Sequence, residues 1–255
     1  MKKVTAFIGS ARKKATYYAV REFEKNLKQR EEIDFEYVFL SNYNLNFCQG
    51  CCQCFDKGEA LCPLKDDRDV LLAKMEVSDG VIFASPSYAY QVSARMKNFL
   101  DRLAFIFHRP RFFGKTFTVI LTQGVPVGDS IRKYLEDSGA NLGFEVTKGC
   151  CVWTLDPMSE SQRNKLEQKV KKCSERFYQN LLLDKRPAPS FFRLMLFRTA
   201  RSGLQCSDKK YYDWSYYKEN GWFESDYYYE TSLGPIKILA GYLFDFLGRT
   251  IGKHI

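Results

Sequence analysis

Short apolar runs alternate with helix-spaced segments from the N-terminus to about residue 180, five times over, which restricts this chain to a parallel sheet covered by helices on both faces. Val4 to Ile8 is a run of strand length. Tyr17, Val20, Phe23 and Leu27 then recur at helical spacing, and Ile33, Phe35, Tyr37 and Phe39 alternate as a second strand. A charged helix is predicted around Asp66 to Ser78, a buried strand over Val81 to Ala84, and a helix from Ser93 to Ala104. Thr116 to Leu121 reads as strand four, Ser130 to Ser138 as a helix, Phe144 to Val152 as strand five and Ser159 to Leu182 as a long closing helix. The expected fold class is α/β, a five-stranded doubly wound parallel sheet occupying residues 1–182.

Residues 187–255 break this alternation and form an aromatic-rich C-terminal extension. Pro187 and Pro189 punctuate a linker, Phe191 to Phe197 mix with Arg193, Arg198 and Arg201 as in an amphipathic helix, Tyr211 to Tyr229 is dense in Tyr and Trp, and Ile236 to Leu247 is a short apolar helix candidate. These aromatics are read as packing on the domain or across an oligomer interface, with a membrane surface or a lid over a cofactor as alternatives.

An odd count of nine cysteines, and an N-terminus that runs straight into a strand without an apolar signal stretch, place the chain in a reducing cytoplasm. No uncharged apolar run approaches the roughly 20 residues of a spanning helix. A net charge of +9 favours anionic partners. No recognition motif accompanies that charge, so a solvated basic surface is preferred to a nucleic-acid site.

Ligands of a doubly wound sheet sit outside the carboxyl ends of its strands, where Gly9-Ser10-Ala11-Arg12 follows strand one. Gly9 permits a tight turn, Ser10 and Thr16 offer hydroxyl donors, and Arg12 offers a charge-assisted contact to phosphate oxygens. Neither GxGxxG nor GxxxxGK is present, which argues against a dinucleotide fingerprint and an NTPase. The other reading is an ordinary turn with a solvated arginine. After strand three, Ser85 to Tyr90 leads into a helix at the same edge, where a planar ring would rest.

Cys48, Cys51, Cys54 and Cys62 crowd into fifteen residues after strand two. Thiolates at this spacing suit one iron–sulfur cluster, with Cys52 spare. A zinc site and reduced, packed thiols are the alternatives; neither histidine is nearby in sequence. Cys150, Cys151, Cys173 and Cys206 are taken as structural.

GSxR at the first strand end and PxYxxxxSAxMKxFxDR over residues 86–102 resemble the NADPH-dependent FMN reductase family, across roughly residues 1–180. The CxxCxxCxxxxxxxC loop followed by Asp66-Asp67 is similar to that of its iron–sulfur flavoproteins. The resemblance implies a flavodoxin-like fold holding FMN near a 4Fe-4S cluster ligated by Cys48, Cys51, Cys54 and Cys62. It further implies that Ser10, Arg12 and Thr16 hold the FMN phosphate, that Pro86, Ser87, Tyr88 and Ala89 border the isoalloxazine, and that Thr122, Gln123 and Gly124 complete the ring site. Ala11 stands where the family often has Pro, and Lys13-Lys14-Ala15 precede Thr16.

The function implied is an FMN-dependent oxidoreductase moving electrons from NAD(P)H or a ferredoxin to a small-molecule or redox-protein acceptor, as a homodimer or homotetramer. The alternative is a flavodoxin-like scaffold tethered to a partner or membrane surface by its C-terminal tail.

Overall fold

Along the first strand, Val4, Ala6 and Ile8 point to one face and Thr5 and Phe7 to the other, and all five are fully buried. A strand buried on both sides needs cover above and below its sheet. The computed structural model describes residues 1–125, 128–183, 186–207 and 211–253, and supplies that cover. Its elements run β1 (Lys2–Ile8), α1 (Ala15–Lys28), β2 (Ile33–Phe39), a one-turn α2 (Gln53–Asp56), α3 (Arg68–Glu76), β3 (Gly80–Tyr88), β4 (Gln91–Val92), α4 (Ala94–Arg102), β5 (Thr116–Gln123), α5 (Gly128–Leu142), β6 (Glu145–Val146), β7 (Cys150–Trp153), α6 (Glu160–Leu181), α7 (Phe191–Cys206), α8 (Tyr212–Glu219) and α9 (Pro235–Gly252).

The main sheet has the order β2-β1-β3-β5-β6, with β7 continuing beside β5, and these pairs are parallel. Seven strands replace the five expected, for two reasons. Residues 87–92 fold back as an antiparallel hairpin that adds β4. The expected fifth strand is split, because Thr116 pairs with Glu145 whereas Ile120 pairs with Cys150, a register shift of one residue. Gly149 lies in the interruption, where an added Cβ would meet the Val119 carbonyl oxygen at 2.3 Å.

One face of the sheet packs Val4, Ala6, Ile8, Ile82 and Ile120 against Val20 and Phe23 of α1 and Leu166, Val170 and Phe177 of α6. The other is aromatic: Phe7 stacks on Phe99 of α4 at 5.2 Å, Phe83 meets Phe117 edge-on at 4.9 Å, and Phe112 stacks on Phe144 at 4.5 Å. The outer edge near β7 is closed by side chains. Glu136 accepts the Gly149 N–H (2.7 Å), Lys169 Nζ donates to the Cys151 carbonyl (3.0 Å), and Arg176 donates to the Lys148 carbonyl (2.8 Å). These cations therefore occupy backbone acceptors that would otherwise recruit another strand. Burial, then Asp129, pushes the Cys151 thiol there up to about 11, so it is not a thiolate at neutral pH.

The chain divides into two compact units, Met1–Gln49 with Leu64–Asp184, and Gly50–Pro63 with Lys185–Ile255. The first holds the sheet. In the second, α7 and α9 pack closely and Tyr217, Trp222, Tyr228 and Phe197 form an edge-to-face knot, with Tyr217–Trp222 at 4.9 Å and Phe197–Tyr228 at 4.5 Å. Asp245 of α9 accepts from Arg198 (3.1 Å), Arg201 (2.6 Å) and Ser202 (2.7 Å) of α7, all of them buried. Among the described residues, no helix is long and apolar enough to cross a membrane.

Candidate functional site

β1, β3 and β5 run parallel and end at one edge of the sheet, as does β7 beside β5, so the loops that follow them converge. They enclose a cleft of about 370 Å³. Nine of the ten expected cofactor contacts line it: Ser10, Arg12 and Thr16 from the first loop, Pro86, Ser87 and Tyr88 from β3, and Thr122, Gln123 and Gly124 from β5.

The first loop is built by close approach. Gly9 donates its N–H to the Ala84 carbonyl (2.8 Å), and its own carbonyl accepts from Ser93 Oγ (2.9 Å). A Cβ at Gly9 would lie 2.5 Å from that hydroxyl. Ser93 also accepts the Met96 N–H (3.3 Å) as the N-cap of α4 and donates its own N–H to Ser85 Oγ (3.0 Å). One serine thus joins the GSxR loop, the end of β3 and the SAxMK helix.

Beyond Gly9, Ser10 Oγ accepts the Arg12 N–H (3.2 Å) and donates to the Arg12 carbonyl (3.0 Å), folding the turn on itself. No side chain caps α1, and its first turn contains no acid. First-turn amides have no intrahelical partner, so this end of α1, with Arg12, Lys13 and Lys14 beside it, is suited to an anion. Thr16 Oγ1 pairs with Thr122 Oγ1 at 2.7 Å. Only one of those two hydroxyl protons is used between them, which leaves the other for a ligand.

The far wall carries residues that the sequence reading missed: Lys14, Tyr18, Thr154, Leu155, Asp156, Met158 and Arg163. Thr154 donates its N–H to the Gln123 carbonyl (2.9 Å), and Asp156 pairs with Lys14, which holds its carboxyl below the usual range. The Arg163 guanidinium sits 5.3 Å over the Tyr18 ring. Burial, then the hydrogen bond to Glu167, pushes the Tyr18 phenol up to about 12. The available signal was positional, since residues 154–158 follow the last strand at the carboxyl edge.

Ala89 is the expected contact that does not line the cleft. It forms the β3–β4 turn with Tyr90, both residues left-handed at φ 47° and 61°. Two-residue turns of this kind favour Asn-Gly, and side chains there carry about 1–2 kcal/mol of strain each. The turn presents Tyr88 and Tyr90, both exposed.

The cysteines behave differently. Cys48 lies in the first unit, and Cys51, Cys54 and Cys62 in the second. All nine are thiols rather than disulfides. Among the described residues, no three His, Cys, Asp or Glu side chains form a group that could hold a metal ion. The loop's neck, by contrast, is tightly built. Asp66 accepts from the Asn46 N–H (2.9 Å), the Arg68 N–H (3.2 Å) and both terminal nitrogens of Arg102 (2.6 and 3.0 Å), while Asn98 Nδ2 donates to the Leu45 carbonyl (2.9 Å). Burial alone would raise the Asp66 carboxyl, but Arg102 and the Asn46 and Arg68 amides together hold it below the usual carboxylate range.

The model of the NADPH-dependent FMN reductase family matches residues 2–153, the segment that builds the sheet and most of this cleft. The chain belongs to that family. An iron–sulfur flavoprotein of Archaeoglobus fulgidus is 37% identical to this FMN reductase family member over 136 residues, covering 52% of this chain and 60% of the relative. The chain thus spans 60% of the length of that curated relative. A solved NAD(P)H:quinone oxidoreductase of Methanothermobacter marburgensis aligns with a TM-score of 0.55 and 15% identity, covering 68% of this chain and 95% of that one. RosB, solved with bound 8-demethyl-8-formylriboflavin-5'-phosphate, aligns with a TM-score of 0.55 and 12% identity over 92% of each chain. At such identities the two structures show a shared flavodoxin-like fold and nothing more.

Proposed function

We propose that this chain is an FMN-dependent oxidoreductase that takes electrons from NAD(P)H, or from a ferredoxin in its place, and passes them to a small-molecule or redox-protein acceptor. The observation that carries this reading is the single cleft gathering the uncapped start of α1, Ser10, Arg12 and Thr16 with the ends of β3 and β5. A second observation supports a bound ligand. Of the two hydroxyl protons of the paired Thr16 and Thr122, both lining the cleft, one remains free to be donated to it.

Bound there, FMN would supply reversible hydride and single-electron chemistry, while the protein supplies orientation and charge. Ser10, Arg12 and Thr16 would bind the phosphate, and Pro86, Ser87, Tyr88, Gln123 and Gly124 would border the ring. Tyr18 stays protonated at neutral pH and serves as a neutral wall with Arg163 over it. The assembly proposed is a homodimer or homotetramer. A 4Fe-4S cluster on Cys48, Cys51, Cys54 and Cys62 is supported by the relative's name and the cysteine spacing. The described residues offer no metal-holding group at these positions. About four irons and matching labile sulfide per chain in anaerobically prepared protein would establish the cluster.

Anaerobic mixing of FMN-loaded protein with NADPH or NADH tests the activity. Loss of the oxidised flavin absorbance within the mixing experiment, with one nucleotide faster than the other, is the expected result. A flavin that neither nucleotide nor reduced ferredoxin bleaches would rule this reading out.

A further inference from the structure

The second unit contains a helix that is turned inside out. Successive residues of a helix advance by about 100° around its axis, so Gly241, Asp245, Gly248 and Gly252 of α9 share one stripe. That stripe faces α7: a Cβ at Gly248 would lie 2.4 Å from the Thr199 carbonyl oxygen, and one at Gly252 would lie 2.3 Å from that of Gly203. Small residues allow this close backbone packing. The large apolar side chains consequently emerge on the opposite side. Ile236, Leu239 and Phe246 are 75%, 73% and 67% exposed, and Leu243 and Leu247 lie among them.

Charge separates the candidate occupants of this face. Asp245 is the one acid on α7 or α9, and Arg198, Arg201 and Ser202 bury and neutralise it. The remaining charges of the two helices are all cations, of which Lys237 donates to the Pro189 carbonyl (2.7 Å) and Arg249 is exposed. A second copy laid on this face would bring these cations against the same cations, with no exposed carboxylate on either helix to meet them. An anionic lipid surface complements both the apolar stripe and the exposed Arg249, and α9 is not apolar enough to cross.

We propose that the packed α7–α9 pair is an interfacial membrane anchor, lying in the plane of an anionic bilayer with Leu239, Leu243 and Phe246 inserted below the headgroups and Arg249 among the phosphates. Inside the pair, Arg198 and Arg201 share the Asp245 carboxylate and Arg198 also pairs with Asp226 (2.8 Å), so neither guanidinium lacks an acid in a low-dielectric surrounding.

Flotation of the full chain with vesicles tests this, comparing pure phosphatidylcholine with equal parts phosphatidylcholine and phosphatidylglycerol. The protein should float with the anionic vesicles, and less so as salt rises. Leu243→Glu with Phe246→Glu should lower the bound fraction about tenfold or more, since both lose buried apolar area and add repelled charge. Arg249→Glu should weaken binding to anionic vesicles alone. Leu243 and Phe246 are exposed, so an unchanged thermal unfolding curve serves as the folding control. The proposal is overturned if the wild-type chain stays with the lipid-free fraction, or if the double variant floats as the wild type does. It is equally overturned if the double variant instead halves the solution mass without any lipid binding, which would assign the face to a second copy.

Discussion

Arg102→Ala is expected to destabilise the first unit by about 3–5 kcal/mol, the usual cost of leaving one member of a buried ion pair alone. The side chains of Arg102 and Asp66 are 2% and 0% exposed, and the guanidinium grips the carboxylate with both terminal nitrogens while also donating to the Asn46 carbonyl (2.9 Å). Truncation leaves Asp66 buried with only backbone and amide donors. Lysine at this position should recover part of the loss but not the bidentate geometry. The sign with pH follows from the Asp66 carboxyl, whose folded value is depressed. Its stabilisation is fully present above the ordinary carboxylate range and lost as pH falls through the folded value. The difference between wild type and variant, read by urea denaturation, should therefore narrow below about pH 4. An equal difference at all pH values would show that the pair is not what holds the neck.

Gly9→Ala is expected to cost about 2–4 kcal/mol, combining overpacking with damage to a helix cap. The new Cβ would sit 2.5 Å from Ser93 Oγ and 3.1 Å from Met96 Cβ, so Ser93 must give way. That serine holds the Gly9 carbonyl and the Met96 N–H together, and displacing it loosens the first loop and the start of α4 at once. Thermal unfolding should shift down and FMN should bind more weakly. Ser93→Gly, placed in the same background, should recover part of the lost stability by making room but leave FMN binding weak, because the tie to the Gly9 carbonyl goes with the hydroxyl. An alanine variant with wild-type stability would mean that the loop is not packed as described.

The sheet and its cleft were legible because both follow from simple periodicities. Alternation in β1 and helical spacing in α1 identify the βαβ unit, and strand ends locate Ser10, Pro86 and Thr122 at one edge without any knowledge of contacts. What stayed hidden depends on pairs distant in sequence. Arg102 reads as a residue that contacts a neighbouring helix or subunit, but nothing local names Asp66 as its partner until the fold brings the two together. The split of the fifth strand turns on the approach of Gly149 to Val119, which no local pattern announces. The β3–β4 hairpin lacks the Asn-Gly signal of its turn, so Ala89 and Tyr90 read as part of a ring-binding loop. In the extension, the aromatic stretch between Tyr211 and Tyr229 does pack, around Tyr217 and Trp222. The apolar stretch from Ile236 reads only as a short apolar helix from composition, and that its glycine stripe is what faces the neighbour is not announced by it.

Flavin binding is expected to depend on a phosphate anchor in the cleft that begins at Gly9. Parallel fluorescence titrations of flavin-free protein with FMN and with riboflavin, repeated on Arg12→Ala, address it most directly. FMN should bind at least about tenfold more tightly than riboflavin, which lacks the phosphate, and the variant should lose most of that preference because a charge-assisted contact contributes about 1.5–3 kcal/mol. Equal affinity for the two flavins in the wild-type protein, or a preference that Arg12→Ala leaves intact, would contradict the account.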